Sequence, residues 1–335
     1  MRRIKVPSPC KINLHLSVGE RRADGYHDLE SIFQVLDFGD ILGFELVEED
    51  GVCELLLASP LLRTVVPIPP EKNIVYQAVS LFRRRTGFDR GIRVSLEKRA
   101  PLGGGLGGGS SNAAAALGAL DILAGTGLSL AELRDMALAL GSDVPFFLAE
   151  APARGESSAA YSRPGHSAAG RGGAAWVSGR GERIFPLGDP RSWPVVLVNP
   201  GFPSPTGEAF RRLDAWRSRL DARRSRGGGS GEGPGRGALI GALGAEPGDW
   251  PFWNDFFPVL AEGSGEDAVV YRRIVSALRN SGAVFTGLSG AGSTCFGIFT
   301  DRGEAERAAH LLSDHWFFVY VTFFLARSAF GVLEY

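Results

Sequence analysis

A chain of 335 residues is long enough for about two domains with a substantial hydrophobic core. Hydrophobic residues make up 44% and charged residues 22%, and the formal net charge is −1, so the composition gives no general electrostatic case for binding nucleic acid. The cysteines Cys10, Cys53 and Cys295 are far apart and have no metal-binding or redox spacing. We expect them to be small buried residues in a reducing compartment.

No segment has the pattern of a membrane span or a signal peptide. The N-terminal stretch MRRIKVPSPCKINLHL contains no apolar core of the signal-peptide kind. The longest apolar run, 316–326, is too short to cross a bilayer and indicates a buried strand. The sequence therefore predicts a soluble, cytoplasmic protein that acts without a membrane or a nucleic-acid partner.

The N-terminal segment predicts strands that carry polar side chains on one face. In the stretch KINLHL, Lys11, Asn13 and His15 alternate with apolar residues and so share a face. Such residues are usually solvated, and the alternative is that they face a ligand. After an Asp-Gly turn, Tyr26 and His27 supply two rings that either hold a planar base or simply pack.

Residues 31–49 predict two strands broken at 37–40, and residues 58–70 predict a proline-rich loop. Asn73 opens a predicted helix whose last turn is basic and which Gly87 stops. Each of these boundaries rests on local turn or cap chemistry.

The glycine-rich segment PLGGGLGGGSSN, residues 101–112, stands between a predicted strand at 92–98 and a predicted helix at 113–123. Glycines let backbone N–H groups approach an anion closely, and the start of a helix adds unpaired donors and a partial positive charge. The three residues after the glycines provide capping or ligand-facing oxygens. The arrangement is typical of a phosphate loop.

Two better-known glycine patterns do not fit this segment. Gly103, Gly105 and Gly108 match the dinucleotide motif, but that motif needs an acidic residue about 20 residues later at the end of a second strand, and Asp121 lies inside the predicted helix. The P-loop pattern fails because Gly109 stands where that pattern has its lysine, between Gly108 and Ser110. A flexible linker remains as an alternative, and the flanking strand and helix argue against it. The sequence favours a phosphate loop of a third kind.

Asp143 comes after the next predicted helix, 130–140, which starts at a capping box of Ser129 and Glu132 and ends at Gly141. In the sequence GSDVPFF, this acid directly precedes a proline and apolar residues. Either its carboxylate lies in a cleft or it caps the turn, and the local pattern leaves both open.

The second half of the chain alternates predicted helices at 207–224, 268–280 and 304–312 with strands at 194–198, 294–299 and 316–326. A second Gly/Ser loop, 289–293, leads into one of these strands, and the pattern predicts a second α+β domain. We place the domains at 1–190 and 191–335. Two stretches of low complexity predict a flexible insertion at 149–172 and a flexible loop at 225–249.

Together these motifs fit phosphoryl transfer, which depends on positioning, on cations at the phosphates and on a base for the attacking hydroxyl. Two Gly/Ser loops can hold phosphates. Because the first loop lacks a lysine, Lys11 would supply the cation and lower the pKa of the hydroxyl, and Asp143 would accept its proton.

Several segments in order resemble the GHMP family of small-molecule kinases: SPCKINLHL at 8–16, RADGYHDLES at 22–31, PLGGGLGGGSSNA at 101–113, GSDVPFFL at 141–148 and SGAGSTCF at 289–296. They are most similar to the branch that phosphorylates a cytidyl diphosphate sugar alcohol in the non-mevalonate isoprenoid route. The resemblance implies two α+β domains, an N-terminal ribosomal-protein-like one and a C-terminal ferredoxin-like one, with the active site in the cleft between them. It also implies ATP, with Mg²⁺ carried by the nucleotide, and a monomer or homodimer.

The resemblance implies residue roles as well. Lys11 and Asp143 match the catalytic pair, and Asn13 matches a residue near the reacting end of the substrate. The other positions matched to substrate binding are Tyr26, His27, Thr206, Phe210, Gly290, Ala291 and Gly292, of which Tyr26, His27 and Phe210 hold the cytosine. The positions matched to ATP binding are Asn73, Lys98, Pro101, Gly103, Gly104, Gly105, Leu106, Gly107, Gly108, Gly109, Ser110 and Ser111. No residue is matched to a metal.

Cys10 departs from the family, which usually has a small residue such as alanine there. One alternative is another GHMP kinase, acting on mevalonate, phosphomevalonate or homoserine, which has no need of rings for a cytosine. The other is a nucleotide-binding protein without catalysis, and the presence of both Lys11 and Asp143 argues against it.

Overall fold

The computed structural model describes residues 3–59, 69–148, 173–188, 190–224, 234–325 and 333–334. The first part of the chain forms β1 (Arg3–Arg21), β2 (His27–Val47), β3 (Cys53–Ala58), α1 (Ile74–Thr86), β4 (Gly91–Glu97), α2 (Gly108–Ala124), α3 (Leu130–Leu140), β5 (Ala174–Gly179) and β6 (Arg183–Pro186). The second part forms β7 (Pro194–Asn199), α4 (Thr206–Arg224), α5 (Arg236–Ala242), α6 (Phe256–Ala261), α7 (Glu266–Asn280), β8 (Phe285–Leu288), β9 (Cys295–Ile298), α8 (Arg302–Ser313), β10 (Phe318–Phe323) and β11 (Leu333–Glu334).

The first sheet has the strand order β11-β1-β2-β4-β3, and β5 joins it on β2 and carries β6. Helices α1, α2 and α3 cover one face, where Phe44, Phe82 and Leu120 are fully buried. The apolar residues of α2 are mostly alanines and leucines, so this helix packs closely against both β1 and α1.

The second sheet has the order β10-β7-β9-β8 and packs with α7 and α8 around buried residues such as Val196, Leu278 and Phe299. Isolated backbone bridges tie the first sheet to the second part of the chain: Leu16 pairs with Asn254, ahead of α6, and Leu36 pairs with Phe324, directly after β10. We propose a domain boundary near residue 190, between the last strand of one sheet and the first of the other. One departure from a simple division is β11, which returns to pair with β1 of the first sheet.

The predicted break at 37–40 is wrong, because β2 runs continuously from His27 to Val47. Asp40 fits inside this strand because its carboxylate accepts hydrogen bonds from the backbone N–H groups of Arg99 and Ala100 and pairs with the Lys98 ammonium. The pairing is irregular here all the same, because residues 36–38 of β2 lie opposite the single residue Cys10 of β1, between the pairs Pro9–Gly39 and Lys11–Val35.

The start of the glycine-flanked helix is also earlier than predicted. Helix α2 begins at Gly108, so Ser110, Ser111 and Asn112 lie in its first turn, and Gly107 in the left-handed conformation is its N-cap. Of the two roles predicted for these side chains, capping is wrong, since the N-cap position has no side chain to offer, and the ligand-facing role stays a prediction.

Part of the predicted flexible loop at 225–249 is ordered. Residues 236–242 form α5, and Pro247–Asp249 forms a short 3-10 helix, because Leu239 and Trp250 bury their side chains in the core between the sheets. The rest of that loop, 225–233, and the insertion 149–172 lie outside the described residues, as does most of the predicted loop 58–70. The cysteines are all free, with Cys10 and Cys295 buried and Cys53 partly so.

Among the described residues, no helix is both long enough and apolar enough to cross a bilayer. The location of the protein in the cell stays a prediction.

Candidate active site

A cavity of about 970 Å³ lies where the two sheets meet. The first part of the chain lines it with Lys11, Asn13, Tyr26, His27, Gly105, Gly107, Ser110 and Asp143. The second part lines it with Thr206, Phe210, Asp214, Gly290 and Ala291. Residues predicted for both ends of a phosphoryl transfer thus face one space.

Lys11 and Asp143 meet in this cavity. The Lys11 Nζ lies 3.6 Å from Asp143 Oδ2 and donates a 2.6 Å hydrogen bond to Asn13 Oδ1. Lys11 is only 3% exposed, and its ammonium sits 4.4 Å from the centre of the Phe33 ring. Burial lowers the pKa of Lys11, and the attraction of the Asp143 carboxylate opposes this shift. Of the polar face predicted for β1, Lys11 and Asn13 are thus buried at the cavity beside the Asp143 carboxylate, whereas His15 does not line the cavity.

Asp143 is held by its place in the chain. It precedes the 3-10 helix Val144–Phe147, whose Pro145 fixes the backbone next to it, and Phe147 is fully buried. The Asp143 side chain stays 30% exposed and is open to the cavity. Asp143 makes no side-chain capping bond in this position.

The first glycine loop needs its glycines for shape. Gly103, Gly105 and Gly107 have positive φ angles of 63°, 75° and 67°. A Cβ on Gly107 would lie 3.1 Å from carbons of the Lys11 side chain and 3.0 Å from the Phe147 ring. This close approach lets the Lys11 side chain pass beneath the N-terminus of α2.

The second glycine loop packs directly on the first. Ser289 Oγ donates to the carbonyl oxygen of Gly105 at 2.9 Å, and the Thr294 amide donates to the carbonyl of Gly104 at 3.1 Å. A Cβ on Gly105 would lie 2.0 Å from the Ser289 carbonyl oxygen. Asn254 holds the second loop by donating to the carbonyl of Gly290 at 2.8 Å. The two loops form one interlocked surface.

The far end of the cavity is aromatic. The rings of His27 and Phe210 stack with centroids 4.9 Å apart and an interplanar angle of 23°. Phe256 supports Phe210 edge-on at 5.0 Å. Tyr26 is 57% exposed, and the Arg180 guanidinium carbon lies 5.1 Å from the centre of its ring. This end offers flat apolar surfaces with polar edges.

Not every predicted site residue borders this cavity. Those that do not are Asn73, Lys98, Pro101, Gly103, Gly104, Leu106, Gly108, Gly109, Ser111 and Gly292. Asn73 is buried as the N-cap of α1, where its Oδ1 accepts from the Val75 amide at 3.0 Å. Lys98 is buried in an ion pair with Asp40, beneath the start of α2.

The sequence reasoning missed three residues around the site. Asp40 anchors α2 by accepting from Asn112 Nδ2 at 2.9 Å, and an acid within an apolar strand run was the signal for it. Asp214 contacts His27, and its spacing of four from Phe210 on one helix was the signal. Arg180 comes from the β5–β6 turn, and no sequence signal places that turn here.

The comparisons with known proteins agree with this geometry. The model for the GHMP kinases N terminal domain matches residues 73–150, and that for GHMP kinases C terminal matches 270–316. A 4-diphosphocytidyl-2-C-methyl-D-erythritol kinase of Treponema pallidum (strain Nichols) is 35% identical over 322 residues, covering 94% of this chain and 97% of the relative. The chain belongs to the 4-diphosphocytidyl-2-C-methyl-D-erythritol kinase family.

Other members of the 4-diphosphocytidyl-2-C-methyl-D-erythritol kinase family match over most of their length. The Haemophilus ducreyi (strain 35000HP / ATCC 700724) kinase is 33% identical over 307 residues, 92% of this chain and 89% of the relative. A crystal structure of a 4-(cytidine 5'-diphospho)-2C-methyl-D-erythritol kinase has 30% identity and a TM-score of 0.67, covering 96% of this chain and 100% of that one. The predicted two-domain α+β GHMP kinase fold and the class of enzyme, an ATP-dependent small-molecule kinase, are confirmed.

Proposed function

We propose that the protein transfers the γ-phosphate of ATP to the 2-hydroxyl of 4-diphosphocytidyl-2-C-methyl-D-erythritol. The observation that carries this proposal is the placement of Lys11 and Asp143, 3.6 Å apart, between a glycine loop and an aromatic pocket. The names of relatives at 33% and 35% identity support the choice of substrate.

In the proposed step, the acceptor hydroxyl lies between Asp143 and Lys11. The Asp143 carboxylate accepts the hydroxyl proton while the hydroxyl oxygen forms a bond to the γ-phosphorus, and the bond from that phosphorus to the oxygen of the ADP leaving group breaks. The Lys11 ammonium stabilises negative charge on the attacking oxygen. Asn13 keeps the ammonium in place through its 2.6 Å hydrogen bond.

The donor end is proposed to lie over the first glycine loop. Helix α2, which is 17 residues long, begins at this loop, and the dipole of the helix favours anions at its N-terminus. Ser110, in the first turn of α2, lines the cavity. Mg²⁺ carried by ATP would neutralise charge on the phosphates. The metal is proposed to be held mainly by the nucleotide, with Ser110, which lines the cavity, as the protein contact.

The acceptor end is proposed to hold the cytosine near Tyr26, His27 and Phe210. Aromatic faces favour a planar base, and the polar edge of His27 can take part in a hydrogen bond. Thr206, Gly290 and Ala291 line the same cavity.

A substrate panel tests the proposed function. The purified protein is incubated with ATP and, separately, the cytidyl compound, mevalonate, phosphomevalonate or homoserine, and phosphorus NMR detects a new phosphomonoester. We expect one only with the cytidyl compound. A product from mevalonate and none from the cytidyl compound would contradict the proposal, and ATP binding without any product would favour a non-catalytic protein.

We also propose that the protein acts as a monomer or homodimer. Light scattering on a sizing column gives the mass directly, for comparison with 35.7 kDa for one chain. A mass above that of two chains would exclude both states.

A further inference from the structure

Helix α4 presents three side chains to the β1–β2 hairpin: Phe210, Asp214 and Arg217. Their spacing of four and three residues puts them on one helical face. Arg217 donates to the backbone carbonyls of Val18 and Gly19, at 2.5 Å and 2.9 Å, and so docks the helix on the end of β1. The other two side chains of this face both contact His27.

His27 begins β2 and is held by α4 in two ways. Its Nε2 lies 2.8 Å from Asp214 Oδ1, and its ring stacks on Phe210. The side chain of His27 is 4% exposed, whereas that of Asp214 is 37% exposed. The stacking sets the plane of the imidazole ring, and the carboxylate sets which ring nitrogen points at α4.

A carboxylate only accepts hydrogen bonds, so Nε2 has to carry the proton in this contact. In a neutral imidazole the other nitrogen, Nδ1, is then an acceptor. We propose that Asp214 is a positioning residue that holds His27 in the Nε2–H tautomer, so that Nδ1 accepts a hydrogen bond from the exocyclic amine of an aminopyrimidine base. The proposal rests on the proposed function, because it assumes that the base binds at this end of the cavity.

This arrangement makes a selection between bases. Cytosine carries an amine that can donate to Nδ1, whereas uracil carries a carbonyl oxygen at the same ring position. Two acceptors facing each other in a partly buried site leave both without a partner, which is costly. Asp214 thus contributes to specificity through His27 without touching the base.

The kinetic test compares the wild type, Asp214→Asn and the control Glu208→Gln with the cytidyl substrate and its uridyl analogue. The asparagine side chain of D214N would be able to present an amide N–H to Nε2, which permits the opposite tautomer. We expect D214N to lower the preference for the cytidyl substrate at least about tenfold, through KM, with kcat and the KM for ATP within about twofold. Glu208 pairs with Arg211 on the exposed side of α4, and E208Q should leave the preference unchanged.

The second measurement does not depend on activity. Nitrogen-15 NMR of labelled histidines at pH 8, where imidazoles are generally neutral, reports which nitrogen carries the proton, with the His27 signals assigned from a His27→Asn variant. We expect Nε2–H in the wild type and a larger Nδ1–H fraction in D214N. A wild-type His27 protonated on Nδ1 overturns the proposal even if D214N fails to fold.

The outcomes separate the two proposals. If the wild type does not phosphorylate the cytidyl compound, the proposed function is wrong, and the specificity role falls with it. If the wild type is active but D214N keeps the full base preference, the proposed function stands and only the role of Asp214 is overturned.

Discussion

The ammonium of Lys98 lies 2.6 Å from the Asp40 carboxylate, in an ion pair whose side chains are 6% and 0% exposed. Asp40 also accepts from two backbone amides and from Asn112, so the pair ties β2, β4 and the first turn of α2 together. A buried pair of this kind costs little when complete and a great deal when one partner is removed.

The main effect of Lys98→Met should therefore be to destabilise the folded protein. We expect it to reduce the free energy of unfolding by about 3 kcal/mol, because Asp40 is left buried without its cation. Urea unfolding followed by circular dichroism measures this. Arg302→Met, which removes an exposed ion pair with Glu306, is the control and should change the stability by less than about 0.5 kcal/mol. A stable K98M with a raised KM for ATP would instead support direct contact with the nucleotide.

Asp143→Asn should abolish most turnover while ATP still binds. An amide cannot take the hydroxyl proton, so we expect kcat to fall by at least about 10²-fold. Calorimetry with a non-hydrolysable ATP analogue checks binding, and a coupled ADP assay checks turnover. Asp135→Asn, on the exposed face of α3, is the matched control. Near-normal turnover of D143N would rule out its role as the base.

Tyr26→Ala should raise the KM for the cytidyl substrate about tenfold and leave the KM for ATP within about twofold, because the exposed ring lies at the aromatic end, away from the glycine loop. Tyr26→Phe keeps the ring and should retain most of the affinity. Equal effects of Y26A on both KM values would contradict the proposed contact between the Tyr26 ring and the cytidyl substrate.

His15 should make the protein sensitive to acid. Burial among Trp176, Phe252 and Trp253 lowers the pKa of His15 to about 4, and its Nε2 has no hydrogen-bond partner among the described residues. Since the folded pKa is below the value of about 6.5 in the unfolded chain, the unfolded state takes up the proton first as the pH falls. Stability is then lost between about pH 6.5 and pH 4.

The measurement is urea unfolding of wild type and His15→Phe at a series of pH values. We expect the wild type to lose about 3 kcal/mol more than H15F between pH 7 and pH 4. His310→Asn, at an exposed histidine of α8, should behave like the wild type. Parallel pH curves for H15F and wild type would show that His15 does not control acid stability.

Features set by local chemistry were predictable from the sequence. Asn73 caps α1, and Ser129 and Glu132 form the capping box of α3, as expected. The errors come from partners far away in the chain. The sequence predicts a break at Asp40 because Lys98, whose ammonium neutralises the Asp40 carboxylate, lies 58 residues later in the chain.

In the candidate site too, the sequence predicts the residue types but not the contacts between residues that are far apart in the chain. The residue types of Lys11, Asp143 and the glycine loop pointed to phosphoryl transfer, but a sequence does not give the 3.6 Å between Lys11 and Asp143. The β5–β6 turn, with Arg180, reaches the cavity only through sheet pairing with β2. Its contribution could not have been found from spacing.

The hydrogen bond from Ser289 to Gly105 has a consequence for how the cleft can move. Because one loop belongs to each sheet, the two halves cannot swing apart at the donor end without breaking this contact and the one between Thr294 and Gly104. We expect any opening of the cleft to rotate about the interlocked loops, so that the two halves separate most at the aromatic end of the cavity. Exchange of backbone amide hydrogens should then be slow in both glycine loops and fast around Tyr26. We expect the cytidyl substrate to enter the cleft from the side of Tyr26.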